Sequence, residues 1–299
     1  MRQGATDQFE ANRDHLYGVA YRMLGSSSEA EDAVQEAWLR LQRVDVHEVD
    51  NMQAWLTTVV SRIALDALRA RNRRREEIAA TDATDVPEQQ PAGDPEAEAV
   101  MADSVGRALL VVLDRLGPAE RVAFVLHDMF SVPFDDIAPI VDRTPATTKK
   151  LASRARSRVR GPSDVDHVAL DQHRHVIEAF LAAARAGDID ALLRALAPDV
   201  VRRADAVALA PGRPTEVRGA ETVAGEIAIF GANAQYASPV LIDGSVGLVI
   251  APAGQLRLAM TFVVRDNQIV EYTLVADPAR LAKLDIALVP ARPATVQGT

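Results

Sequence analysis

Between Lys149 and Arg160 the chain carries six basic residues (Lys149, Lys150, Arg154, Arg156, Arg158 and Arg160) and no acid. The chain as a whole is acidic, with 42 Asp and Glu against 33 Lys and Arg and a net charge of −9. Positive charge concentrated on one short helix of an acidic protein is the pattern of a local DNA contact. Thr147 and Thr148 directly precede that segment and Ser153 lies in its first half, so all three fall in the first half of the presumed helix. Lysine, arginine and hydroxyl groups are what reach base edges or phosphate when a helix enters the major groove. Arg156 and Arg158, further along, suit phosphate contacts, which add affinity and salt dependence. A second basic run, Arg69–Arg75, lies about 80 residues upstream and holds Arg69, Arg71, Arg73 and Arg74, with Arg62 two turns before it.

These side chains need helices to position them. Phe9, Leu16, Val19, Ala20 and Met23 recur at helical spacing, and Gly25-Ser26-Ser27-Ser28 breaks and caps. The next helix, from Glu29, stripes Ala33, Ala37 and Leu41, with Val34 and Trp38 beside them. A third is apolar at Trp55, Val59, Ile63 and Leu68 and ends in the arginine run; that spacing assigns Trp55 to the core. Residues 76–103 hold nine acids, no Lys or Arg, and Pro87, Pro91 and Pro95, the composition of a linker. Leu110, Leu113, Leu116, Val122 and Leu126 stripe a second helical module, and Thr144-Pro145 caps its basic helix. Asp142, Arg143 and Pro139 are irregular choices for the turn and short helix before it.

Beyond Gly161-Pro162 the pattern changes. Two helices, over 167–185 and 189–196, precede a region expected to be mostly stranded from Val200 onward, with hairpin turns at Asp243-Gly244 and Asp266-Asn267. Helices followed by an antiparallel sheet indicate an α+β domain. The boundaries expected are 7–77, linker 78–104, 105–160, 167–288, and a tail 289–299.

Composition removes several chemistries. With no cysteine there are no disulfides, thiolate zinc sites or cysteine nucleophiles. No apolar run approaches the ~20 residues of a membrane span, and the N-terminus lacks an apolar signal core, so a cytoplasmic protein is expected. His167, His173 and His175 lack the i, i+4 spacing of a helical metal pair. In the α+β region Leu256, Leu258, Met260, Phe262 and Val264 share a strand face without an ionisable group. Asp205, Glu271 and Tyr272 are the candidates for acid–base chemistry, each expected to be structural or superficial.

Residues Glu29–Leu41, Ala54–Arg75, and Arg115–Ala138 followed by SRARSRVR resemble, in that order, the extracytoplasmic-function sigma factors of bacterial RNA polymerase. The resemblance implies that Asp32, Gln35, Glu36 and Leu39 contact core polymerase. It implies that Arg62, Arg69, Arg71, Arg73 and Arg74 serve the −10 promoter element. Thr147, Thr148, Lys149, Lys150, Ser153, Arg154, Arg156 and Arg158 would serve the −35 element from a helix-turn-helix. Residues 167–288 resemble the SnoaL-like fold, a cone-shaped α+β domain. The expected fold is therefore two all-α domains followed by that domain. The expected function is promoter recognition and transcription initiation with core RNA polymerase and promoter DNA as partners, modulated by the third domain. No enzyme activity and no cofactor are expected, and the cone can hold a small apolar ligand. The alternatives are a polymerase-independent helix-turn-helix regulator and a SnoaL-like enzyme or ligand-binding protein targeted to DNA.

Overall fold

A computed structural model describes residues 2–45, 49–80, 104–162 and 167–290. Residues 81–103 of the expected linker and 291–299 of the expected tail lie outside the described residues. The chain divides into two compact units, Met1–Met101 with Leu113–Ser157, and Ala102–Val112 with Arg158–Thr299. A helical N-terminal region is followed by an α+β sheet region.

The first unit opens with three helices, α1 (Arg2–Leu24), α2 (Ser27–Leu41) and α3 (Met52–Ala80), which pack on one another. Gly25, at φ 79°, turns the chain where a side chain would be strained, and the Ser26 hydroxyl then accepts from Glu29 N at 3.4 Å. Leu16, Met23, Leu41, Leu56 and Leu65 are each at most 1% exposed, and each contributes roughly 1.5–3 kcal/mol of burial. Two expectations are corrected in α3. Its buried stripe is Leu56, Val60, Ala64 and Leu68, and Trp55, Val59 and Ile63 are only half-buried. Glu76 and Glu77 belong to the helix, which runs on to Ala80.

Along the chain come α4 (Ser104–Asp114), most of it in the second unit, and then α5 (Pro118–Phe124), α6 (Phe134–Val141) and α7 (Pro145–Arg160), with a π-helical turn over Val125–Met129 extending α5. At the start of α5, Pro118 supplies a preset φ and Gly117 N donates to the Glu120 carboxylate at 3.3 Å. Pro139 lies inside α6, which ends at Val141 with Asp142 beyond it in the left-handed conformation (φ 56°). Aspartate is among the few residues that enter that region at modest cost. Thr144 caps α7, its hydroxyl accepting from Thr147 N at 3.3 Å.

In the second unit α8 (His167–Ala186) and α9 (Ile189–Ala195) are joined at Gly187-Asp188, where the Asp188 carboxylate accepts from Ala191 N at 2.9 Å. Seven strands form one sheet in the order β2-β1-β6-β5-β4-β3-β7. They are β1 (Leu196–Ala204), β2 (Glu216–Arg218), β3 (Ala237–Ile242), β4 (Ser245–Ile250), β5 (Leu258–Arg265), β6 (Gln268–Val275) and β7 (Ile286–Ala287). β1 runs parallel to β6, and the other neighbours are antiparallel. The Asp243-Gly244 and Asp266-Asn267 turns have positive φ at both residues, as two-residue hairpins require. The region after Val200 is less stranded than its composition suggests, since Ala220–Phe230 is a helix, α10. Val223 and Ala224 on α10 join Phe180, Leu192, Leu248 and Ile269 in the core. At Gly247 a Cβ would lie 2.6 Å from both Met260 O and Ile242 Cδ1, so β4 and β5 approach as only glycine allows.

Candidate nucleic-acid interface

Helix α7 is two-sided. Thr148, Ala152, Ala155 and Val159 are buried, while Thr147, Lys149, Lys150, Ser153, Arg154, Arg158 and Arg160 are exposed. Small residues on the inner face let the helix sit close to its support and leave the basic groups in water. One expected contact is corrected: Thr148 is fully buried, and its hydroxyl donates to Thr144 O at 3.0 Å. It serves the helix's first turn and is not available to DNA. Arg156 is half-buried and bonded to Asp128, with Nε at 2.7 Å and Nη2 at 2.6 Å from Oδ1.

The five arginines expected on α3 also separate. Arg73 and Arg74 are exposed. Arg62 donates to Pro139 O at 3.4 Å, and Arg69 lies 3.5 Å from the Asp142 carboxylate. Arg71 corrects its assignment: it donates to Leu24 O at 3.2 Å and pairs with Glu29, bracing α3 against the α1–α2 turn. Arg75 pairs with Asp114 at 3.2 Å.

Arg121, an arginine with no expected role, is 2% exposed. It donates to Arg22 O at 3.3 and 3.4 Å and to Asp114 at 3.4 Å. Burial pulls its pKa down to about 10; Asp114 raises it, and Arg71 and Arg75 lower it further. His15, half-buried and 3.2 Å from the Thr57 hydroxyl, is likewise held below its ordinary value by burial.

On α2, Asp32, Gln35 and Leu39 are exposed and Glu36 is half-exposed, paired with Arg40 at 2.9 Å. Leu39 is 48% exposed, one of few large apolar side chains left in water among the described residues. Trp38 packs at 5.0 Å on Phe9 and, with Tyr17, Tyr21 and Gln35, lines a groove of about 590 Å³ between α1 and α2.

In the second unit, Asp205 accepts from Ala276 N and Asp277 N at 3.1 and 3.0 Å and pairs with Arg280, fastening the end of β1 to the chain after β6. Glu271 pairs with Arg203 at 3.2 Å on the sheet's outer side. Tyr272 is different: it lines a cavity together with Arg202 and Glu226, neither of which stood out in the sequence. An arginine in a strand looks superficial until its partner, 24 residues on in a helix, is placed. Among the described residues no group of three His, Asp or Glu could hold a metal ion, and no helix is long and apolar enough to cross a membrane.

Residues 8–74 match the family Sigma-70 region 2, and residues 106–159 match Sigma-70, region 4. The chain is 42% identical over 258 residues to the ECF RNA polymerase sigma factor SigJ of Mycobacterium tuberculosis, covering 82% of this chain and 80% of that one. It is 40% identical over 201 residues to the probable ECF RNA polymerase sigma factor SigI of the same organism, covering 66% and 69%. The crystal structure of Mycobacterium tuberculosis SigJ aligns with a TM-score of 0.44 and 34% identity over the superposed residues, covering 92% of this chain and 98% of that one.

Proposed function

Because the chain belongs to the extracytoplasmic-function RNA polymerase sigma factors, we propose that α7 reads the −35 element and that α3 serves the −10 element. The single observation that carries the −35 assignment is the division of α7 into a small-residue buried face and an exposed face of Lys149, Lys150, Ser153 and Arg154. The α6–α7 pair then acts as a helix-turn-helix, the left-handed Asp142 setting its turn. Lys149, Lys150, Ser153 and Arg154, with Thr147, face the bases, while Arg158 binds phosphate.

On α3, Arg73 and Arg74 are the exposed cations for the −10 region, and the half-buried Trp55, Val59 and Ile63 offer an apolar strip beside Arg62. Opening a promoter asks no covalent chemistry of the sigma factor. It asks for surfaces that favour the unpaired strand over the duplex. Arg62 and Arg69 must release α6 before they can contribute. Asp32, Gln35, Glu36 and Leu39 dock on core polymerase, with Leu39 as the apolar anchor of a polar patch. The α+β unit, a cone-like sheet of the SnoaL type, modulates the DNA-binding unit in the cytoplasm and carries out no reaction of its own.

Promoter-directed transcription with purified core polymerase tests this reading. The full chain should initiate, and Lys150→Ala and Arg154→Ala should lose −35-dependent initiation. A chain ending at Pro162, with its melting curve as the fold control, should differ from the full chain in activity. Equal activity of the two forms would remove the modulating role. Absence of both core binding and initiation would remove the sigma role.

A further inference from the structure

Arg156 lies three residues after Ser153 and seven after Lys149, so it shares their side of α7. Its guanidinium is held in place. Nε and Nη2 reach the same oxygen, Asp128 Oδ1, at 2.7 and 2.6 Å. The Arg156 and Asp128 side chains are 34% and 21% exposed, so the pair sits against the protein and is still open to an approaching duplex. A guanidinium has five N–H donors, and two of them meet Asp128. The other three have no protein acceptor among the described residues.

The carboxylate stands on a braced turn. Asp128 belongs to the π-helical turn Val125–Met129, whose wider i→i+5 spacing re-aims the side chains that follow α5. Beyond it the chain doubles back. Ser131, in the left-handed conformation at φ 57°, donates from N to His127 O at 3.1 Å, and Val132 N donates to Leu126 O at 2.9 Å. The His127 ring stacks 3.8 Å from the Phe134 ring at the start of α6, and its Nδ1 lies 3.0 Å from Val132 O. These contacts fix the backbone that carries Asp128, and a fixed carboxylate fixes the guanidinium paired with it.

We propose that Asp128 is a positioning residue for promoter binding: it holds Arg156 with its remaining N–H donors toward a phosphate flanking the −35 element. The role rests on the assignment of α7 to that element. A free arginine side chain loses its rotational freedom when it binds, whereas Arg156 has already lost it in the folded chain. Its planar fork matches the oxygens of a phosphate. An acid beside a DNA-binding surface repels the duplex, so charge and positioning give opposite results when Asp128 is removed.

The test uses holoenzyme formed from the full chain and core polymerase. The probe is a labelled duplex that this holoenzyme enriches from a random-sequence library. Asp128→Ala removes a negative charge, yet affinity should fall about two- to tenfold, the range for one long side chain that must be ordered on binding. Arg156→Ala should lower the slope of log affinity against log salt by about 1, and Asp128→Ala should lower it part of the way. In the Arg156→Ala background, Asp128→Ala should cost nothing further, which separates positioning from damage to the fold. Affinity that rises or stays level in Asp128→Ala overturns the role and makes Asp128 a competitor of DNA for Arg156. An equal loss in the Arg156→Ala background also overturns it and leaves Asp128 a support of the fold. Enrichment of sequences with no −35 preference is a separate result: it overturns the −35 reading itself, and the role with it.

Discussion

Arg69 Nη2 lies 3.5 Å from Asp142 Oδ2, so an arginine assigned to the −10 element is held by the residue that ends the helix before α7. Both side chains are at least a third exposed, so the pair contributes no more than about 1 kcal/mol. Asp142→Gly keeps the left-handed turn and removes the carboxylate. Promoter affinity of the holoenzyme should rise, by at most about fivefold, with the −35 preference intact. Anisotropy titration of labelled promoter checks this, and unchanged or weaker binding would show that the pair does not compete with DNA.

Arg154 and Arg158 should fail differently. Arg154→Ala should cost about 1–3 kcal/mol and relax base preference at one −35 position, whereas Arg158→Ala should weaken all sequences alike and lower the salt slope by about 1. Binding curves at several salt concentrations separate the two, and identical behaviour of the variants would contradict their placement.

Leu39→Asp should reduce core-polymerase affinity at least about tenfold, the loss expected of a buried interface anchor. Its 48% exposure means that the fold does not depend on it, so the melting temperature of the isolated chain should stay unchanged. Pull-down with core polymerase against a melting curve is the discriminating pair of measurements.

Arg121→Ala should destabilise the first unit by roughly 3 kcal/mol or more, because the Arg22 carbonyl and the Asp114 carboxylate lose a buried donor. Urea unfolding gives the value. A change below ~1 kcal/mol would mean that water replaces the guanidinium without penalty.

Acidification should destabilise the chain through His15. Burial holds its folded pKa below 6.5, so near and below that pH the unfolded chain binds the extra proton. Stability is therefore lost as pH falls from 6.5 toward the folded value. His15→Gln, which can still bond Thr57, should flatten that part of the profile.

Local signals with one physical outcome were legible in the sequence. Gly25-Ser26, Thr144, Gly187-Asp188 and Asp243-Gly244 each combine a backbone preference with a nearby donor or acceptor, and each marks a boundary where expected. Ambiguity entered where two patterns coexist. On α3 the stripes Trp55–Val59–Ile63 and Leu56–Val60–Ala64 are both apolar, and only packing against α1 and α2 chooses the second. Helix α10, AETVAGEIAIF, carries four β-branched residues and lies in the region expected to be mostly stranded. The cavity was half legible. The apolar faces of β5 and β6 follow from alternation, but Arg202 and Glu226 meet only through the long-range β1–β6 pairing and the position of α10.

Gly247 gives the cavity a hereditary weak point. A methyl group there must push on Ile242 or on the backbone at Met260, and Met260 is part of the cavity wall. A Gly247→Ala allele would therefore reshape a cavity to which residue 247 adds no atom.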